Sequence, residues 1–132
     1  YPIEPKVVPL VYQIMATGVM TSCWSCEGHM NADNELWKVP QVCFYSASSI
    51  YPKLVSMHLN NLYQAKQLSY PWHIVLSGFS ESLAVTYGLQ PNLNQVTDVR
   101  LGSLQRDLVV IAEDMSTKTK AIAQHLLDKY CS

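Results

Sequence analysis

Two cysteines and a histidine fall within seven residues, Cys23-x2-Cys26-x2-His29, in the stretch SCWSCEGH. Zinc takes thiolate and imidazole ligands in a tetrahedron, and a Cys-x2-Cys pair in a tight turn converges two sulfurs on one point with little strain. His29 is close enough to supply a third ligand. Cys43 is the candidate fourth if its strand folds back beside the loop, with Glu27 or Asp33 as oxygen alternatives. The common finger patterns close the site with a second compact pair, and this chain has none. Closure by Cys43 predicts a saturated, structural site. Water in the fourth position predicts metal-assisted hydrolysis, with Glu27 as base.

The same residues admit other chemistry. Cys23 and Cys26 alone could form a redox pair, but such pairs stand at a helix N-terminus, where the dipole lowers the thiol pKa. Here EGHMNADN follows, a cluster of turn formers. Haem attachment needs His directly after the second Cys, and Glu27 and Gly28 occupy that gap. Free cysteines also behave as small hydrophobes, so Cys23, Cys26 and Cys43 could fill core beside Trp24. Glu27, Asp33 and Glu35 could join His29 in an acid–base group, although a solvated loop uses the same residues more often. For His58, His73 and His125 the expectation is a satisfied imidazole beside an apolar stripe or strand, not a ligand. Cys131, next to the end of the sequence, is expected to be incidental. No Gly-rich phosphate loop, His-Glu-x-x-His or Gly-x-Ser-x-Gly is present.

The elements that must position these residues read as an alternation of strand and helix. Residues 8–17, VPLVYQIMAT, alternate loosely, which favours a half-buried strand over a short helix. NADN, residues 31–34, is turn chemistry, and ELWKVPQVCFYS reads extended with a bend at Pro40. That order places the Cys and His in the connection between two strands. Ser48 or Ser49 can cap a helix with Pro52 in its first turn. Val55, Leu59 and Leu62 then form its buried stripe, with Tyr51 and His58 beside it. WHIVLSGF and LAVTYGL, joined by SES, predict an antiparallel hairpin over residues 72–89, followed by a loop over 90–98. Asp107 to Ala112 has the composition of a buried strand. Leu101, Leu104, Leu108, Ile111, Ala112 and Met115 nevertheless share one helical face, and periodicity over about 15 residues outweighs a short β-branched run. A helix from about Ser103 is expected, kinked near Ser116–Thr117, its stripe resuming at Ile122 and Leu126 and reaching Tyr130.

The whole is expected to be one α+β domain over residues 1–132, with helices packed on one face of a largely antiparallel sheet and a Cys/His loop near the N-terminus. At 132 residues, 48% hydrophobic and 14% charged, the chain has apolar material for an ordinary core. Nine Lys and Arg against ten Asp and Glu, with no basic run, argue against a nucleic-acid partner. The longest apolar stretch, Val7 to Met20, is interrupted by Pro9, Gln13, Thr17 and Gly18 and falls short of the roughly 20 residues that span a bilayer, so no membrane association is expected. The chain opens on Tyr1 and not on Met, so it carries no information about a leader. Four cysteines could make two disulfides, but with no Asn-x-Ser/Thr site and no dense cysteine pattern a reducing cytoplasm is the expectation.

These features together predict a zinc-binding interaction or assembly module with Cys23, Cys26, His29 and Cys43 as ligands. The alternatives are an enzyme centred on the same loop, either metal hydrolase or dithiol oxidoreductase, and a metal-free structural protein. Thirteen aromatic residues exceed what the core stripes hold, and Trp24, Trp37, Tyr45 and Tyr51 are candidates for a surface that docks a protein partner. The long C-terminal stripe predicts a helix-mediated homodimer.

Overall fold

A computed structural model describes residues 3–79 and 85–131. Among these residues the chain forms four α-helices, a four-stranded antiparallel sheet and a two-stranded ribbon, an α+β architecture. After a 3-10 turn at Pro5–Val7 come helix α1 (Val8–Ala16), strand β1 (Met20–Cys26), the ribbon strands β2 (His29–Met30) and β3 (Leu36–Lys38), and strand β4 (Gln41–Ser46). Helix α2 (Ile50–Gln64), strands β5 (Trp72–Phe79) and β6 (Val85–Pro91), and helices α3 (Leu101–Ala112) and α4 (Met115–Tyr130) complete the order. The sheet runs β1-β4-β6-β5, and the ribbon is inserted between its first two strands.

Strand alternation decides which face is covered. On β4, Val42, Phe44 and Ser46 are buried, whereas Gln41 and Cys43 are half-buried and Tyr45 is exposed. The helices pack on the first face, where Val42, Phe44 and Leu89 join Leu10 and Ile14 of α1, Leu59 of α2, and Leu104, Leu108 and Ile111 of α3 in one core. Each such fully buried aliphatic or aromatic side chain stabilises the fold by about 1.5–3 kcal/mol relative to exposure. Phe44 also stacks on its cross-strand partner Tyr87, with ring centroids 5.7 Å apart.

Most of the expected elements are present. The α2 helix begins where Ser48 and Ser49 suggested, and Ser48 Oγ accepts the Ile50 N–H at 3.1 Å. In the NADN turn, Asn31 Oδ1 accepts the N–H groups of Asp33 and Glu35, and Asn34 adopts left-handed backbone at φ 58°. The turn expected over SES, residues 80–82, lies outside the described residues.

Three expectations are corrected. Residues 8–16 form helix α1 and not a strand. Val7, Leu10, Val11 and Ile14 make one buried helical face while Tyr12 and Met15 stay exposed, and Pro9 sits in the first turn, where no N–H is required. Cys23 and Cys26 belong to β1 itself, paired with β4, and only Glu27 and Gly28 separate β1 from β2. The C-terminal helix is interrupted earlier than Ser116. Asp114 takes left-handed backbone at φ 54°, and Gln13 Oε1 of α1 accepts the Ser116 N–H at 2.9 Å, so a neighbouring helix caps the start of α4.

His58 lies inside this core, only 2% exposed, with Nε2 hydrogen-bonded to the Ile111 carbonyl at 3.1 Å. Burial lowers its pKa below the ordinary 6.5, the Ile111 carbonyl pulls it back up, and the charge of Lys118 lowers it further. In the folded protein the imidazole therefore stays neutral where the unfolded chain already takes up a proton. The stability it contributes is complete above about pH 6.5 and is lost as the pH falls below that value, until the folded pKa is passed. The His58 ring resonance should titrate with a midpoint below 6.5 in NMR. Thermal denaturation of His58→Gln should show a shallower acid-side loss than the parent between about pH 7 and 5.

Candidate metal centre

The chain before the 3-10 turn brings Glu4 against the end of β1. Glu4 Oε1 accepts the Glu27 N–H at 2.9 Å, and Oε2 pairs with His29 Nε2 at 2.8 Å. Cys26, the last residue of β1, is 4% exposed and accepts the Gly28 N–H on its sulfur at 3.4 Å. One carboxylate oxygen, one thiol sulfur and one imidazole nitrogen from Glu4, Cys26 and His29 all lie within 4.8 Å of one another, so the group could hold a metal ion.

Gly28 makes this convergence possible. Its φ of +88° turns the chain sharply between β1 and β2, a conformation that costs any residue with a Cβ. A Cβ there would meet Leu101 Cδ1 at 2.6 Å, Pro40 Cδ at 2.9 Å and the Lys38 carbonyl at 3.1 Å. The turn is fixed from outside as well. Gln105 of α3 donates Nε2–H to the Glu27 carbonyl at 3.0 Å while its Oε1 accepts from Lys6 Nζ, also at 3.0 Å. Thus α3 and the N-terminal segment hold both sides of the connection.

Of the four residues expected to be ligands, the structure brings Cys26 and His29 together. Cys23 is the extra residue of a β-bulge, between the Ser22–Phe44 and Trp24–Cys43 pairs, and is exposed with its thiol 3.7 Å from the Thr21 carbonyl. Cys43 is half-buried on β4, between Trp24 of β1 and Gly88 of β6. Among the described residues neither thiol belongs to a group of three or more converging donors. Of the oxygen alternatives, Asp33 is exposed in the NADN turn, and Glu27 contributes its backbone N–H to Glu4. The third donor of the group is Glu4, which sequence spacing alone does not connect to Cys26. The one available signal is that Glu4 is the sole acidic side chain before Glu27.

Compared with known proteins, the chain matches no family model, no curated protein and no solved structure.

The electrostatics separate the possible chemistries. Burial pushes the Cys26 thiol above its ordinary pKa; the Gly28 N–H opposes this, Glu4 adds to the rise by charge and hydrogen bonding, and Lys38 lowers it slightly. A redox or nucleophilic cysteine needs the opposite environment, one that stabilises thiolate near neutral pH. A metal cation supplies that stabilisation itself, because a coordinating thiol is deprotonated outright. None of the four cysteines is in a disulfide.

Gly28→Ala should destabilise the fold by about 1–3 kcal/mol, the range for overpacking combined with strained backbone. Urea denaturation would measure it, and an unchanged midpoint would mean that Leu101 and Pro40 can yield the space.

Proposed function

We propose that the protein is a small zinc-binding module that docks a protein partner, with Glu4, Cys26 and His29 as the protein ligands. The observation that carries this is the convergence of sulfur, nitrogen and oxygen donors on one point from the N-terminal segment, the end of β1 and the start of β2. Zinc suits that donor set, with Zn–S near 2.3 Å and Zn–N or Zn–O near 2.0–2.2 Å. Tetrahedral ligands at those lengths lie roughly 3.3–3.8 Å apart, so the Glu4–His29 pair at 2.8 Å opens slightly to admit the ion. The ion would stand between that pair and join the segment before α1 to the ribbon.

The ribbon is the docking element in this proposal. His29 pairs with Lys38 at its base, while Met30 and Trp37 are exposed and Lys38 Nζ sits 4.5 Å above the Trp37 ring. Exposed aromatic and Met side chains are enriched where proteins bind one another, and a metal at His29 would lower the entropy cost of presenting them. Trp24 and Tyr45, exposed on β1 and β4, extend the aromatic surface. A second copy of the chain is one such partner, favoured by the exposed Leu127 and Tyr130 on α4. Four unlinked cysteines suit action in a reducing cytoplasm.

A second proposal, metal-assisted hydrolysis, takes its support from the partial exposure of Glu4 and His29, 33% and 41% at their side chains. Three protein ligands and an accessible fourth position are the arrangement of catalytic zinc sites.

Chelated, untagged protein titrated with cobalt(II) should bind one equivalent and develop sulfur-to-cobalt charge-transfer absorption. Cys26→Ser should abolish that absorption, and His29→Ala and Glu4→Gln should each weaken binding by more than the roughly 10–100-fold that outer-shell changes cost. Cys23→Ser and Cys43→Ser should leave it intact. Dependence on Cys23 or Cys43 would overturn this ligand set, and absence of binding would overturn the metal-centred function altogether. Sedimentation with and without zinc reads the self-association, and zinc-dependent turnover of an activated ester would favour the hydrolase.

A further inference from the structure

A separate surface lies away from the Cys and His residues, between the C-terminal half of α2, the segment leading into β5 and the loop after β6. Two depressions of about 400 and 430 Å³ occupy it, and they share Tyr63 and Pro71 as a common wall. Each is within the volume range of small-molecule sites.

The chemistry of the lining is unusual for its neutrality. Asn60 and Asn61 line one depression and Asn92, Asn94 and Gln95 line the other, and no described lining residue carries a formal charge. An anionic ligand would find no cation there and a cationic ligand no carboxylate. A purely apolar ligand would bury amides without partners, at a cost of about 1–3 kcal/mol for each unsatisfied group. Each side-chain amide carries two donors and an acceptor, the Asn92 oxygen also accepting the Asn94 N–H at 3.4 Å, and this set matches a ligand dense in hydroxyl groups. Tyr63 and Met57, 41% and 39% exposed, and the Pro71 ring add apolar surface at the same place, so the ligand also needs an uncharged face of C–H groups. A sugar ring has both features.

The walls are held in place by buried hydrogen bonds. Asp107 of α3, 1% exposed, accepts the N–H groups of Ser69 and Tyr70 at 2.9 and 3.1 Å and the Trp72 indole N–H at 2.9 Å. Tyr70 Oη donates to the Asp98 carbonyl at 3.1 Å and accepts the Arg100 N–H at 2.9 Å, which ties the far end of the loop to the same segment. The Asn92 N–H donates to the Pro71 carbonyl at 2.8 Å, joining the loop to the shared wall. Preorganised walls of this kind reduce the ordering cost of binding.

We propose that this cleft binds a neutral oligosaccharide, with one ring in each depression, Tyr63 and Pro71 between them, and the five amides on the hydroxyls. The test is saturation-transfer and amide-shift NMR with maltose, cellobiose and N,N′-diacetylchitobiose, alongside an uncharged tetra-alanine peptide blocked at both ends. At least one disaccharide should bind in the millimolar range, shifting the side-chain amides of Asn60 and Gln95. Tyr63→Ala and the double variant Asn60→Ala/Gln95→Ala alter exposed positions only, and each should weaken that binding at least about tenfold, or 1.4 kcal/mol, with the backbone spectrum otherwise unchanged. Binding that survives both variants, no saturation transfer from any of the three sugars, or stronger binding of the peptide would each overturn the proposal.

Discussion

A buried carboxylate ties α3 to the segment that enters the edge strand of the sheet. Asp107 sits on α3 with its backbone in the helix and its side chain in the core, and it answers three N–H groups of the segment that launches β5. A carboxylate removed from water is costly unless its oxygens are met by donors. Here the donors are two consecutive backbone amides and an indole, so the carboxylate fixes both the path of the chain and the ring of Trp72. An apolar residue at position 107 would pack well on the helical face shared by Leu104, Leu108 and Ile111, but would leave those N–H groups without a partner. The entry to the edge strand β5 is tied to α3 by these three bonds.

The same logic of polar groups answered across elements recurs at the other helix junctions. Gln13 reaches from α1 to the first turn of α4, His58 reaches from α2 to the last turn of α3, and Gln105 reaches from α3 to the β1–β2 connection. Each is a long polar side chain on an otherwise apolar face, and each satisfies a backbone group at the end of an element, where intrahelical or ladder partners run out. Apolar packing supplies most of the stabilisation. These few bonds choose among the ways the helices could otherwise slide on the sheet.

How much of this was legible in the residues follows from the range over which each signal acts. Helix α2 announced itself through local spacing and a serine cap, and the NADN turn through side chains that bond their own backbone, so both were found. Helix α1 departs from the expected strand because its 9 residues are too few for period 3.6 to stand out against a loose alternation that imitates a half-buried strand. The β1 bulge at Cys23 was invisible, since a bulge is defined by the register against β4 and not by the bulged strand alone. With Cys23 displaced by the bulge, the Cys-x2-Cys spacing that looked most like a zinc clamp has its first cysteine exposed and its second buried. The Cys-x2-His half of the motif does converge, because Gly28 folds Cys26 and His29 around one turn. Glu4 depends on where α1 packs, a tertiary fact with no counterpart in spacing.

Glu4 also accounts for the compactness of the cluster. Its Oε1 is committed to the Glu27 N–H, which leaves Oε2 for whatever stands opposite. An imidazolium at His29, whose Nε2 lies 2.8 Å away, would satisfy that oxygen as an ion pair, and a divalent cation at the proposed site would satisfy it while also drawing in the imidazole and the sulfur. The two states differ in what becomes of Cys26. Beside an ion pair the thiol stays protonated, since burial and the Glu4 carboxylate both oppose a second negative charge. Beside a divalent cation the thiolate is the favoured species, and the burial that opposed it then strengthens the attraction by excluding water. The geometry thus keeps the three donors within 4.8 Å of one another while burial holds the Cys26 thiol back from ionising. That pattern disfavours thiol chemistry at Cys26, which needs an environment that stabilises the thiolate.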